Sequence, residues 1–179
     1  MKLKTIDITL CGLFAALLAI CSWIQISFTA VPFTLQTFGI FAALGLLGGK
    51  RGTISICIFL LLGAVGVPVF AGFKGGIGAL FGATGGYLLG FLLSGLTVWL
   101  AEKQFGKSLP VFITSMIVGL LLCYLFGTMW FIVVYTKANG AISIGKALML
   151  CVIPFLPFDA VKLTLAVLVR QSIGKYVPT

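Results

Sequence analysis

Residues 108–136 carry no charged side chain, and neither do residues 75–101. An α-helix rises ~1.5 Å per residue, so about 20 apolar residues cross the ~30 Å of hydrocarbon in a bilayer. Runs of this length and purity leave few alternatives to a helix held in lipid. Composition matters here in one respect: 61% of the residues are apolar and 8% charged, against roughly 25% charged in a soluble domain. A water-facing surface cannot be dressed from that supply, so a soluble globular fold is excluded.

Six apolar stretches read as spans: 6–28, 35–49, 53–67, 84–101, 109–134 and a last one ending near Arg170. The second and third are short for a bilayer. With the amino terminus in the cytoplasm, Lys2, Lys4, Lys50, Arg51, Lys103, Lys107, Arg170 and Lys175 fall inside, while Lys74, Lys137 and Lys146 fall outside. That asymmetry follows the positive-inside rule and predicts both termini in the cytoplasm. Lys2 and Lys4 ahead of an apolar run resemble a secretory signal, and Cys21 resembles a lipoprotein box. Ile20 is bulky where a small residue is wanted, so the segment is expected to stay as the first span. The chain is thus expected to be all-α, a single integral membrane domain over 1–179. Six transmembrane helices form one bundle, with an ordered glycine-rich outer loop between the third and fourth.

The same composition removes most chemistry. The net charge is +9, but the basic residues sit singly or in pairs between apolar runs, which argues against a nucleic-acid face. There is no histidine, and the acids are Asp7, Glu102 and Asp159, too few for most hydrolytic or metal schemes. No metal site and no cofactor are expected. Residues 101–108 fall one residue short of a phosphate-binding loop, Ala101 standing where the first glycine belongs. Gly76, Gly78 and Gly82 are out of register for a dinucleotide fingerprint, with Phe81 in the third position. Five cysteines lie in apolar stretches without a CxxC pair and read as buried small side chains. The chain is not expected to be an enzyme.

Small residues four apart mark close helix packing. Gly78, Gly82, Gly86, Gly90 and Ser94 form one ladder, and Ser115, Gly119, Cys123 and Gly127 another. Cys11, Ala15 and Ala19 give the first span a similar face, flanked by Gly12 and Ala16, able to pack within the bundle or to dock a partner helix.

Three polar features converge on the outer side. The first is Val31-Pro-Phe-Thr-Leu-Gln-Thr37, where Pro32 breaks the helix and Thr34, Gln36 and Thr37 bring polar groups. Gln36 reads either as a ligand contact or as an amide capping the second helix. The second is the segment 66–86, with eight glycines, Phe70, Phe73, Lys74 and Gly75, and Tyr87 just after it. Irregular backbone at membrane depth must be buried in protein or line a cavity. A disordered loop is the plainer alternative, but this segment is rich in Phe, Ile and Leu. The third is Pro157-Phe-Asp-Ala-Val-Lys162, where proline suits a helix start. Asp159 falls in the first turn, with Lys162 three residues on along the same face. An ionisable pair inside a span marks a functional site unless it only holds the bundle. A mostly apolar ligand with one hydrogen-bonding head fits this combination.

At these stretches, together with Leu47-Gly-Gly-Lys-Arg-Gly52, residues 61–72 and residues 82–91, the sequence resembles BioY, the biotin-capturing subunits of energy-coupling-factor transporters. The resemblance implies a six-helix subunit that binds biotin from outside, in the plasma membrane. It also implies partnership with a coupling transmembrane subunit and two ATP-binding subunits. Asp159 and Lys162 match the family's acid and lysine at the ligand head. Cys11, Ala15 and Ala19 match its docking face. The expected ligand set is Asp159, Lys162, Tyr87, Gln36, Lys74, Gly75, Phe73 and Thr34. Biotin's cyclic urea offers two N–H donors and a carbonyl, which a carboxylate and an ammonium can meet. Its carboxylate suits either the loop N–H groups or Lys74. A solitary carrier, or capture of another small vitamin, is the competing expectation.

Overall fold

The computed structural model describes residues 4–26 and 31–177. Lys2 and the far end of the first predicted span, at Phe28, lie outside the described residues. Helix α1 (Thr5–Trp23) starts in a capping box: the Asp7 carboxylate accepts the Lys4 backbone N–H at 3.0 Å. A two-residue antiparallel ribbon follows, β1 (Gln25–Ile26) against β2 (Phe33–Thr34). Next come α2 (Gln36–Ala64), the short α3 (Ile77–Leu80), α4 (Gly85–Phe105), α5 (Leu109–Asn139), α6 (Ile144–Cys151) and α7 (Leu156–Ile173).

Four of these, α1, α2, α4 and α5, are long and apolar enough to cross a bilayer. The pair α6–α7, bent by 42°, makes a fifth candidate. The six predicted spans and this set differ mainly at α2. There the second and third spans are the two arms, 36–47 and 49–64, of one element broken at Gly48. Gly48 has φ 78° and ψ 167°, a conformation that glycine alone adopts without strain. The chain turns back there. A Cβ on Gly52 would lie 2.9 Å from Leu44 Cα, although eight residues of straight helix span about 12 Å. The N–H of Gly49, released by the break, donates to Glu102 Oε2 at 2.7 Å. Neither arm reaches the usual length of a span by itself.

The paired helices α4 and α5 explain the small-residue ladders. A Cβ on Gly90 would lie 3.0 Å from Cys123 Cα, and one on Gly119 2.9 Å from Ser94 Cα. Ser94 also donates its hydroxyl to the Gly119 carbonyl at 2.7 Å. Small side chains bring the two backbones together here, as membrane helices require. Gly78 and Gly82 precede α4 and are not part of that ladder; the four-residue spacing continues through the sequence but the helix does not. The core is filled by fully buried Leu18, Phe41, Phe59, Phe112, Met116 and Phe131. Leu13, Leu61, Leu125, Met129 and Leu165 are exposed, an apolar outer belt that suits acyl chains and would be a liability in water.

Pro157 stands in the first turn of α7, where its missing N–H costs nothing. A separate short helix precedes it, with α6 ending at Cys151 and α7 starting at Leu156.

Candidate functional site

One end of the bundle encloses a cavity of about 620 Å³. Its walls come from the β2 strand and the start of α2, the segment before α4, Tyr87 on α4, Tyr124 on α5, Cys151 on α6 and the first turns of α7. The volume lies in the range of small-molecule pockets.

The polar corner of this cavity is built on Asp159 and Lys162, which are 1% and 5% exposed. One turn of α7 puts Lys162 Nζ 2.9 Å from Asp159 Oδ1. Thr37 Oγ1 donates to the same oxygen at 2.7 Å, and the Tyr124 hydroxyl donates to Oδ2. Lys162 also donates to Thr37 Oγ1 and to the Thr34 carbonyl, both at 2.8 Å. The ammonium lies 4.2 Å from the centre of the Phe33 ring, close enough for a cation–π contact. Each N–H of Lys162 therefore has a partner. The Asp159 carboxylate accepts three hydrogen bonds, which leaves about one lone-pair position of the four a carboxylate offers. At an effective dielectric of ~20, a pair at ~4 Å gains about 4 kcal/mol. The added hydrogen bonds help this buried pair offset its desolvation.

Gln36 supplies the complementary group. Its side chain is 4% exposed, lines the cavity, and its Nε2 has no hydrogen-bond partner. Leaving a buried donor unpaired costs roughly 1–3 kcal/mol, so a hydrogen-bonding ligand would recover that cost. The alternative helix-cap role is filled otherwise: Thr34 Oγ1 accepts the Gln36 backbone N–H at 3.2 Å.

Of the residues expected from sequence, Asp159, Lys162, Tyr87, Gln36, Lys74, Gly75 and Thr34 line this cavity together. Phe73 does not line it. It is 64% exposed and stacks on Trp23, with ring centroids 5.1 Å apart. The reason is a tight reversal in which Phe70 and Lys74 bridge through both backbone hydrogen bonds, and Phe73 takes φ 56° at its tip. Phe70 turns inward instead. It lies edge-on to Phe59 and fills the space above Gly63, where a Cβ would meet its ring. The Tyr87 hydroxyl pairs with Thr128 at 2.9 Å, and its ring seats against Gly127. Ser22 donates to the Val69 carbonyl, and Trp23 Nε1 to the Pro68 carbonyl at 2.9 Å. The irregular segment is thereby pinned to the end of α1, as an ordered loop requires.

Tyr124 was not expected. It neighbours Cys123, whose ladder packs against α4, and so points one position around α5 toward α7. Its hydroxyl inside an apolar span was the available signal.

Cys11, Ala15 and Ala19, read as a face able to pack within the bundle or to dock a partner, take the first of these places in the chain. All three are buried within the chain, at 1%, 2% and 5% exposure, and Cys11 Sγ contacts the Arg51 carbonyl at 3.4 Å. Two small stripes run side by side on α1, and spacing cannot tell which faces inward. The exposed stripe is Gly12 and Ala16.

Among the described residues no cluster of His, Cys, Asp or Glu could hold a metal ion.

Comparison with known proteins bears on this arrangement. The model described as the BioY family matches residues 1–179. The chain is 40% identical to the biotin transporter BioY of Thermotoga maritima over 92% of its length and 93% of that protein. It is 37% identical to the probable biotin transporter BioY of Pyrococcus horikoshii, covering 96% and 98%. The crystal structure at 2.1 Å of the S-component for biotin from an ECF-type ABC transporter superposes with a TM-score of 0.78. That match is at 28% identity, over 94% of this chain and 90% of that one.

Proposed function

The chain belongs to the BioY family, and on that premise we propose that it is the biotin-capturing subunit of an ATP-driven vitamin importer, a transport subunit and not an enzyme. The observation that carries this reading is the corner of the cavity where Asp159 keeps one acceptor position and Gln36 one unpartnered donor. Biotin's cyclic urea presents N–H and C=O side by side. In this reading Asp159 accepts a ureido N–H and Gln36 Nε2 donates to the ureido carbonyl. Lys162, whose N–H groups are already engaged, holds Asp159 and Thr37 in register. Apolar walls at Phe70, Phe91 and Leu88 take the bicycle and the valeryl chain. Lys74 and Gly75, on the loop that borders the cavity, meet the carboxylate.

The cavity end faces outward, both termini lie in the cytoplasm, and the single membrane domain crosses the plasma membrane six times, with the arms of α2 counted separately. Captured biotin is delivered through a complex with a coupling transmembrane subunit and two ATP-binding subunits. The Gly12–Ala16 stripe of α1 is the face that meets the coupling subunit, because small exposed residues admit a partner helix closely.

Equilibrium binding of biotin to the purified chain in detergent, with riboflavin and thiamine as controls, tests the ligand. Tight biotin binding with neither control competing is expected. Preference for a control vitamin would transfer the site to another ligand. Transport by the chain alone in liposomes would make it a solitary carrier. For the complex, replacing Gly12 and Ala16 together by Trp should leave biotin affinity within about twofold and abolish co-purification with the coupling subunit.

A further inference from the structure

The end of the bundle remote from the biotin cavity holds a second concavity, of about 260 Å³. Lys50 and Arg51 reach it from the start of the second arm of α2, Lys103 from the last turn of α4, and Lys107 from the turn that follows. Trp99 supplies an aromatic wall. The chain's three acids do not neutralise this cluster. Asp7 pairs with Arg51 at 2.7 Å, Glu102 accepts the Gly49 N–H, and Asp159 belongs to the other end. With Arg51 paired to Asp7, one carboxylate, Glu102, stands in the pocket against Lys50, Lys103 and Lys107, so an excess of positive charge remains.

Two further facts bear on the kind of anion. Leu100 and Phe105, on the same helix, are 57% and 72% exposed, so apolar side chains that suit acyl chains neighbour the pocket residues Trp99, Glu102 and Lys103 along the chain. A tryptophan between apolar and charged zones is typical of the headgroup level of a bilayer. A soluble anion would need only the charges. A lipid phosphate uses the charges and the apolar border together.

We propose that this pocket binds the phosphodiester of an anionic membrane lipid, seated among Lys50, Lys103 and Lys107, with its glycerol against Trp99 and its acyl chains along Leu100 and Phe105. Basic pockets between membrane helices recognise anionic headgroups by this combination. The site is distinct from the biotin cavity and shares no residue with it.

The test uses the full chain in neutral detergent, titrated with phosphatidylglycerol or with phosphatidylcholine of the same acyl chains, and read by native mass spectrometry. Wild type should retain one phosphatidylglycerol with about tenfold preference, and the triple variant K50Q/K103Q/K107Q should bind both lipids within about twofold. Equal retention of the two lipids by wild type, or an unchanged preference in the triple variant, overturns the proposal. Displacement of the lipid by inorganic phosphate at matched concentration overturns the lipid assignment. Should the triple variant not purify, Lys103→Gln should lower the preference about threefold and Lys103→Arg keep it, and equal preference in both overturns it. Biotin binding in the same samples reports separately on the other site.

Discussion

Each end of this bundle carries an acid bonded to a base, and the two pairs are put to different use. At the cavity, Asp159 and Lys162 are both nearly fully buried, and they share Thr37 as a common partner. At the opposite end Asp7 meets Arg51 at a similar distance, but surplus lysines crowd the neighbouring pocket. The first pair is electrically balanced and enclosed by apolar walls, which suits a neutral polar head. The second region is unbalanced, which suits an anion. The same residue types thus acquire opposite preferences from burial and from the local sum of charge.

The largest effect that would sharpen this contrast is loss of balance in the cavity. Asp159→Asn or Lys162→Ala should weaken biotin binding at least ~100-fold by calorimetry, since a hydrogen bond to a charged group contributes roughly 1.5–3 kcal/mol and the corner that presents it is lost as well. Arg51→Gln should leave affinity within about twofold. Equal losses at both ends would erase the distinction. Next comes packing behind the cavity: Gly127→Val drives a side chain into the Tyr87 ring and should cost about 2 kcal/mol in thermal stability, with weaker biotin binding. Gly48→Ala at the far end should lower stability by about 1 kcal/mol and leave biotin affinity unchanged. The smallest effect belongs to Phe73→Ala, which should alter biotin affinity by less than about twofold. A tenfold loss there would put Phe73 back in the site.

Much of the fold was legible because its signals are coarse. Long uncharged runs dictate helices, and Pro157 dictates where α7 starts. Lys50 and Arg51 divide the two apolar stretches in the sequence, whereas the structure breaks the helix at Gly48, where the chain doubles back. Facing was harder. Cys11-Gly12 and Ala15-Ala16 are neighbouring small pairs, and a rotation of one residue decides which pair is buried. Phe70 and Phe73 sit on irregular backbone with no periodicity to read, so the inward ring could not be told from the outward one. Tyr124 escaped because its partner, Asp159, lies 35 residues away on another helix.

Lys162 has no idle N–H: Thr34, Thr37 and Asp159 occupy them all. An incoming oxygen can therefore win this ammonium only by evicting one of those three neighbours, so its net reward is a small difference between similar bonds. An anion gains little from this corner of the chamber. Discrimination falls to molecules whose outline fills the rest of the space, so that shape, more than charge, governs admission.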